Sequence, residues 1–176
     1  MRSESAPMSS QPTVRLAHEA DAATMLAIIN SAAEAYRHTI PADCWHEPYM
    51  SAAELRGEIS AGVNFVLCEA DVTTLGVMGI QSVRDVDLIR HAYVSPEHQK
   101  HGIGSILIAH LRGTSSRQIL VGTWAAATWA IRFYENHGFR LVSDSAAAHL
   151  LSKHWTVSER QAETSVVLAC PPWPMT

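Results

Sequence analysis

The stretch from Asp87 to Leu111 constrains this chain more than any other part of it. An apolar strand pattern ends at Val94, and the turn from Gln99 to Gly104 leads into apolar residues at helical spacing. Gly102 and Gly104 lack side chains that would block an approaching group or forbid a positive φ. The turn is therefore predicted at a helix N-terminus, where backbone N–H groups and the helix dipole favour a phosphate.

The turn matches neither of the two common nucleotide-binding motifs. A P-loop has Gly-Lys followed by Ser or Thr, and a dinucleotide fingerprint has a third glycine and an acidic residue further on. Both are missing after Gly104. A bare Gly-x-Gly is also compatible with an ordinary strand-to-helix turn, so a functional reading depends on a second motif.

A second motif runs from Ala130 to Phe139. Its apolar and aromatic positions fall on one face of a helix, namely Ala130, Phe133, Tyr134 and His137. Gly138 is placed to end that helix, and strand alternation resumes from Phe139 to Val142. Tyr134 is then either a core tyrosine at a helix edge or a functional hydroxyl.

The two motifs together resemble those of the GNAT superfamily of N-acetyltransferases. In that family an apolar strand leads to Val-x-Pro and then to Gln or Arg-x-x-Gly-x-Gly, which Val94, Pro96, Gln99, Gly102 and Gly104 match. The late Ala-x-x-Phe-Tyr-x-x-x-Gly-Phe motif matches the segment 130–139. The motifs cover 87–104 and 130–139, and the order of elements extends the resemblance over 13–169.

The resemblance implies acetyl-CoA as co-substrate, with no metal. The pantetheine arm is expected along the backbone at the end of the fourth strand, which in the family is usually separated from the fifth by a bulge, and the pyrophosphate is expected in the turn that follows. The cofactor-binding residues so implied are Ala92, Tyr93, Val94, Gln99, Lys100, His101, Gly102, Ile103, Gly104 and Ser105. The resemblance also implies that Tyr134 is the general acid that protonates the departing thiolate.

Two departures from the family pattern leave the general base open. Where many members carry a fifth-strand Glu, this chain reads Val121-Gly122-Thr123-Trp124, and Ala127 replaces a frequent Asn. Candidates for the base are Asp87, Arg90 and His91 on the fourth strand and His46 and Glu47 on a loop. We favour His91 because imidazole titrates near neutral pH, with water as the alternative. In a regular strand Arg90 and His91 point to opposite faces.

The irregular segment from Tyr36 to Met50 is the candidate acceptor-binding loop, through Tyr36, Trp45 and Glu47. It holds two prolines, several large aromatic residues and ionisable groups, and binding residues concentrate on such loops. The alternative is that Trp45 and Tyr49 only anchor a long loop to the core.

The pattern of elements predicts an α+β fold with a mixed, mostly antiparallel sheet and one β-α-β crossover. Helices are expected over 19–35, 51–61, 102–111 and 128–137, with Gly113 ending the third. Asp21 is expected to cap the first or to lie in its first turn, and Ser51 and Glu54 are expected to form a capping box at the second. Strands are expected over 13–16, 63–70, 74–83, 86–94, 118–123, 139–142 and 164–169, and the stretch 143–161 is the least certain. This divides the chain into a disordered segment (1–12), a single GNAT-like domain (13–170) and a stiff tail (171–176).

Composition narrows the function. The chain has 176 residues, 47% of them hydrophobic, which suffices for one full core. Its net charge is -4 with 13 scattered basic residues, which gives no nucleic-acid footprint and mildly favours a cationic small-molecule amine as acceptor. No apolar run is long enough to span a bilayer, and residues 1–12 are Ser-rich and polar rather than the apolar region of a signal peptide, so a cytoplasmic protein is expected.

Cysteine and histidine usage argues against a disulfide framework or a metal site. The three cysteines are scattered, which predicts reduced packing residues. The pairs His98 with His101 and His149 with His154 lack a further ligand at zinc-site spacing.

Three functions fit these patterns. The first is an enzyme that transfers an acetyl or another short acyl group from coenzyme A to a primary amine. The second is a non-catalytic acyl-CoA sensor on the same fold, and the third, an unrelated phosphate-binding module, requires the Tyr134 motif to be accidental. The sequence leaves the acceptor, the acyl chain and the oligomeric state open, with a homodimer as one option.

Overall fold

A seven-stranded mixed sheet organises the chain, for which a computed structural model describes residues 10–174. The strands are β1 (Thr13–Leu16), β2 (Asn64–Ala70), β3 (Thr73–Val83), β4 (Val86–Val94), β5 (Gln118–Trp124), β6 (Arg140–Leu141) and β7 (Ser165–Cys170). Their order across the sheet is β1-β2-β3-β4-β5-β7-β6. Only β4 and β5 pair in parallel within the described chain, which confirms the predicted mixed α+β sheet with its crossover.

Helices cover both faces of this sheet. They are α1 (Ala22–Ala33), α2 (Ala52–Ser60), α3 (Ile103–Thr114), α4 (Thr128–Glu135), α5 (Asp144–His154) and α6 (Glu159–Glu163). On one face α3 packs through Leu107 and Leu111 into a core that also includes Tyr134 of α4. On the other face α1 and α2 cover β2 and β3, and α5 covers β4, β5 and β7.

The predicted capping box at the start of α2 is confirmed. Ser51 Oγ accepts a hydrogen bond from the Glu54 N–H at 3.2 Å, and Glu54 Oε2 accepts one from the Ser51 N–H at 2.6 Å. These reciprocal bonds satisfy two N–H groups that a helix start otherwise leaves unpaired. The start of α2 is thus encoded locally.

Several predicted boundaries are wrong. The helix expected to stop before Gly113 continues through it to Thr114, because Gly113 lies in open space and an exposed helical glycine costs only about 1 kcal/mol. The helix expected over 19–35 is interrupted at both ends by 3-10 turns. Asp21 does not cap α1 with its side chain but pairs with Arg15 at 2.8 Å. The uncertain stretch after residue 143 contains α5 and most of α6.

The predicted terminal segments fall partly outside the described residues. These are residues 1–9 of the segment expected to be disordered and 175–176 of the tail. Ser10, which is described, accepts a hydrogen bond from the Asp71 N–H at 2.9 Å, and Trp173 packs against the core beneath α5. Within residues 10–174 no helix combines the length and apolar character needed to cross a bilayer.

His154, at the end of α5, makes stability depend on pH. Its ring is buried, and neither ring nitrogen has a hydrogen-bond partner among residues 10–174. Burial lowers the pKa of His154, and the positive charge of Lys153 lowers it further. The unfolded chain therefore binds a proton more readily at this residue than the folded chain does.

We expect the contribution of neutral His154 to be fully present above its ordinary pKa of about 6.5 and to be lost as the pH falls through the lowered value. His154→Leu should reduce the loss of unfolding free energy between neutral and mildly acidic pH, measured by urea denaturation. His149→Leu, at an exposed position on the same helix, is the matched control. Equal acid sensitivity of wild type and His154→Leu would contradict the assignment.

Candidate active site

A bulge in β4 creates the cleft. The register pairs Val77 with Tyr93 and then Gly79 with Arg90, so two steps along β3 correspond to three along β4. The backbone at His91 is left-handed, with φ of +53°. The parallel pairing of β4 with β5 ends at Ile89, and the two strands separate beyond it. The expected bulge is therefore present, and it leaves the β5-facing edge of 90–94 without a strand partner in the described chain.

The larger of two adjoining cavities has a volume of about 570 Å³. It lies between the end of β4, helix α4 and the turn that precedes α3. Six of the predicted cofactor-binding residues line it: Ala92, Tyr93, Val94, Gln99, Lys100 and Gly104. Trp129, Ala130 and Phe133 of α4 form the opposite wall. The remaining predicted residues, His101, Gly102, Ile103 and Ser105, lie in the adjoining turn, and the Ile103 side chain is buried in the core.

The turn before α3 is shaped to present N–H groups. Lys100 and Gly102 have φ of +64° and +80°, and Gly102 is the N-cap of the helix. The Gly102 carbonyl accepts the N–H of Ile106 at 3.0 Å. The N–H groups of 103–105 precede this bond and have no partner within the helix. They therefore form a potential anion site at the end of a twelve-residue helix.

Gly104 is needed for packing rather than for a positive φ. A Cβ atom at this position would lie 3.0 and 3.1 Å from the ring atoms Cε2 and Cζ of Phe133. Phe133 itself lines the larger cavity. A side chain at residue 104 would therefore push an aromatic wall into the cavity.

Sequence reasoning missed a contact between Ser105 and His137. His137 Nδ1 lies 2.7 Å from the Phe133 carbonyl oxygen, and Nε2 lies 2.8 Å from Ser105 Oγ. Because the carbonyl only accepts, Nδ1 carries the proton, and in a neutral ring Nε2 accepts from the Ser105 hydroxyl. His137 thereby orients Ser105 at the mouth of the anion site.

The smaller cavity, of about 160 Å³, adjoins the first. Tyr36, Ala92, Tyr93 and Tyr134 line both cavities. The remaining walls of the smaller cavity include Tyr49, Arg90, His91, Trp124 and Trp155. The predicted site residues Tyr36, His91 and Tyr134, which are far apart in sequence, are thus brought to one cleft.

Four buried or half-buried phenols remain protonated at neutral pH. Burial raises the pKa of Tyr134, with a smaller contribution from the negative charge that Tyr36 carries when ionised. Burial likewise raises the pKa of Tyr36 to about 12, and it raises the pKa values of Tyr49 and Tyr93. The rings of Tyr36 and Tyr49 contact that of Tyr93, with centroids 6.4 and 6.1 Å away. The junction of the cavities therefore offers hydroxyl donors and no fixed charge from tyrosine.

Arg90 and His91 do not point apart as a regular strand would require. Nη2 of Arg90 and Nε2 of His91 each lie 2.8 Å from Oε2 of Glu58, because the bulge turns these consecutive side chains toward α2. The hydrogen bond from His91 lowers the pKa of Glu58, as does the charge of Arg90, while burial opposes them. Ionised Glu58 accepts from Nε2, which leaves Nδ1 of His91 as the atom able to take a proton.

Glu58 has no local sequence signal that marks it as functional. It lies on α2, more than thirty residues before its partners, and it meets them only because α2 packs beside the bulge. From the sequence, a glutamate on a polar helix is expected to be an ordinary solvated carboxylate, whereas in the structure Glu58 is half-buried.

The other candidate bases are held elsewhere. Asp87 is buried at the opposite end of β4, where its carboxylate accepts hydrogen bonds from Ser82, Ser115 and Arg117. His46 is exposed, and its Nδ1 lies 2.8 Å from the Pro48 carbonyl oxygen. These contacts are structural. Arg90 and His91 both line the cleft, and of the two only the imidazole can take a proton, because a guanidinium stays charged in proteins.

Trp45 and Glu47 are not among the described residues that line either cavity. Glu47 accepts a hydrogen bond from Trp45 Nε1 at 3.0 Å and pairs with Arg37, whose guanidinium carbon lies 4.9 Å from the Trp45 ring centroid. This cluster borders the cleft, since the Trp45 ring centroid lies 5.4 Å from that of Tyr49, and the contact of Trp45 and Glu47 with the acceptor stays a prediction. Of the same segment, Tyr36 and Tyr49 do face the cleft.

The departures from the family pattern have clear positions. Ala127 is fully buried at the start of α4, and Val121, Gly122, Thr123 and Trp124 line the smaller cavity without a carboxylate. Within residues 10–174 no three His, Cys, Asp or Glu side chains are grouped to hold a metal ion.

Comparison with known proteins agrees with this geometry. A family model described as an acetyltransferase (GNAT) domain matches residues 61–141, which hold the bulge, the turn and α4. Among curated proteins, none matches the sequence. The family match over residues 61–141 and the shared fold agree with the resemblance to the GNAT superfamily that the two sequence motifs carry.

Solved structures with this fold include several acetyltransferases. The PaiA N-acetyltransferase of Thermoplasma acidophilum, in complex with coenzyme A, has a TM-score of 0.68 at 15% identity, over 91% of this chain and 98% of that one. The ribosomal-protein-S18-alanine N-acetyltransferase of Escherichia coli has a TM-score of 0.63 at 17% identity, over 94% and 96%. YncA of Salmonella typhimurium, a putative acetyltransferase with acetyl-CoA, has 0.57 at 20%, over 75% and 81%.

Proposed function

We propose that this protein is an acetyl-CoA-dependent N-acetyltransferase that acetylates the primary amine of a small-molecule acceptor. The observation that carries the proposal is that two cavities meet at one wall, formed by Tyr36, Ala92, Tyr93 and Tyr134. A thioester in the larger cavity and an amine in the smaller one come together at the Tyr134 hydroxyl. A binding protein without catalysis has no need of the second cavity.

The larger cavity fits coenzyme A. The unpaired N–H groups at residues 103–105 and the side chain of Lys100 suit the pyrophosphate, and the separated edge of β4 at 92–94 offers backbone groups to the amide-rich pantetheine arm. Neighbours with this fold were solved with coenzyme A or acetyl-CoA bound. The donor therefore enters with its thioester toward Tyr134.

The reaction is aminolysis of a thioester. The amine nitrogen bonds to the carbonyl carbon, the carbon–sulfur bond breaks, the amine loses a proton and the thiolate gains one. A backbone N–H of β4 stabilises the negative charge that develops on the carbonyl oxygen. Two proton transfers remain for side chains of the cleft.

Tyr134 supplies the proton to the thiolate. Its raised pKa keeps the phenol protonated at neutral pH, so the donor form is always present. His91 takes the proton from the amine, at Nδ1 or through a water, while Glu58 fixes the tautomer at Nε2 and stabilises the imidazolium that forms.

Gly104→Leu should weaken coenzyme A binding in calorimetry by about tenfold or more, the effect of ~1.4 kcal/mol, because the added side chain displaces Phe133 into the cavity. Gly113→Leu, at an open position of the same helix, should leave the affinity unchanged. Equal affinities for the two variants would refute the donor site.

Tyr134→Phe should lower kcat by about 10²-fold with little change in coenzyme A affinity, because it removes only the proton donor and retains the ring. Thiol release from acetyl-CoA at saturating acceptor measures this. A wild-type kcat at every pH, with chemistry limiting, removes Tyr134 from the mechanism. Tight acetyl-CoA binding by the wild type without transfer to any amine supports the sensor function instead.

His91→Asn should lower kcat/KM for the acceptor by about 10²-fold, because asparagine tolerates the left-handed backbone but accepts no proton. Glu58→Gln should move the acidic limb of the kcat/KM profile to lower pH, because the imidazolium loses its negative partner. A purely structural Glu58 would change the amplitude of the profile and leave its limb in place. Unchanged kcat/KM in His91→Asn assigns the proton to water.

A further inference from the structure

We infer that the acceptor is a compact monoamine with an aromatic or apolar body, and that polyamines are poor acceptors. The inference rests on the proposed function and concerns the smaller cavity, whose described lining holds six tyrosine and tryptophan side chains beside polar residues such as Thr123 and Gln161, and no carboxylate. Size, wall chemistry and charge each support it separately.

The size of the cavity limits the part of the acceptor that it encloses to about one ring. The smaller cavity has a volume of about 160 Å³. An engineered cavity of about 150 Å³ in another protein binds benzene, which sets the scale. A macrocyclic, oligosaccharide or folded-protein acceptor can place no more than its amine-bearing end here.

The walls favour a ring or an apolar chain. Tyr36, Tyr49, Tyr93 and Trp124 line the cavity with Trp155, which enters from the segment after α5. The Trp155 indole packs over Gly122, where an added Cβ atom would lie at ordinary van der Waals distance, 3.5 Å from Cζ2. Aromatic walls from several elements favour an aromatic guest through offset and edge-to-face contacts.

The charges disfavour a second ammonium group. Among the described residues that line the cavity, Arg90 is the one permanently charged side chain, and it is a cation with His91 beside it. Glu58 is not part of the lining, and its Oε2 is already bonded to both of these residues. One ammonium can lie against tyrosine and tryptophan rings, but a second has no carboxylate to pair with.

The net charge of the chain therefore does not indicate the local charge at the proposed acceptor site. The value of -4 mildly favours cationic amines, yet the acidic residues responsible for it lie outside this lining. At the site itself the local charge is positive or neutral.

Two matched pairs of amines test the inference, through the rate of thiol release from saturating acetyl-CoA. Butylamine and putrescine share a four-carbon chain and differ by one amine, so they isolate the second charge. We expect kcat/KM to be about tenfold or more higher for butylamine. Phenethylamine carries a phenyl ring where butylamine carries an ethyl group, and its kcat/KM should be higher than that of butylamine by a similar factor.

Two variants test whether these substrate preferences arise in the smaller cavity. Gln161→Glu places a carboxylate in the lining with almost no change in shape, so it should raise kcat/KM for putrescine relative to butylamine. Trp155→Leu removes an aromatic wall and should raise KM for phenethylamine more than for butylamine. Coenzyme A affinity should hold in both variants, which serves as the control for folding.

The outcomes separate this inference from the proposed function. Transfer to putrescine or spermidine that equals or exceeds transfer to the monoamines overturns the acceptor class and leaves the acetyltransferase activity standing. Unchanged ratios in both variants also overturn it, because the preference then arises elsewhere. Absence of transfer to every amine, with acetyl-CoA binding intact, overturns the proposed function and this inference together.

Discussion

The left-handed backbone at His91 is the constraint on which the rest of the site depends. A non-glycine residue in this region costs on the order of 1 kcal/mol. The hydrogen bond from His91 to Glu58 and the ion pair of Arg90 with the same carboxylate hold the strained segment in place. Without the bulge, β4 would continue to pair with β5 and close the cleft, and Arg90 and His91 would face opposite sides of the sheet.

Burial determines the protonation state of the tyrosines at the junction of the cavities. Each phenol contributes a hydroxyl that stays protonated, because the low-polarity surroundings penalise the phenolate. The site can therefore supply protons while presenting little charge of its own. Its electrostatic character comes from Arg90, His91 and the carboxylate of Glu58 behind them.

Two glycines serve the site for different reasons, and a third borders it. Gly102 has a positive φ at the start of α3, Gly104 gives room to Phe133, and Gly122 lies against Trp155 at ordinary contact distance. The Gly-x-Gly motif contains the first two, although only one of them needs a left-handed backbone. Gly122 lies in the segment that departs from the family pattern, and the Trp155 indole packs over it as an aromatic wall.

The sequence by itself determined the order of elements, the turn before α3, the α2 capping box and the placement of Tyr134 on a late helix, because each depends on residues close together in the chain. It did not determine α5, whose start lacks a strong local signal beyond Ser143, or the end of α3 past an exposed glycine. Only the tertiary structure decided which side chains share a cleft. Glu58, His91, Tyr134 and Trp155 come from separate elements, and helix packing beside a bulged strand brings them together. Arg37 joins Trp45 and Glu47 in a cluster beside the cleft. The composition of the loop does not reveal this, because the position of a loop side chain depends on the charged and aromatic partners that it meets in the folded chain.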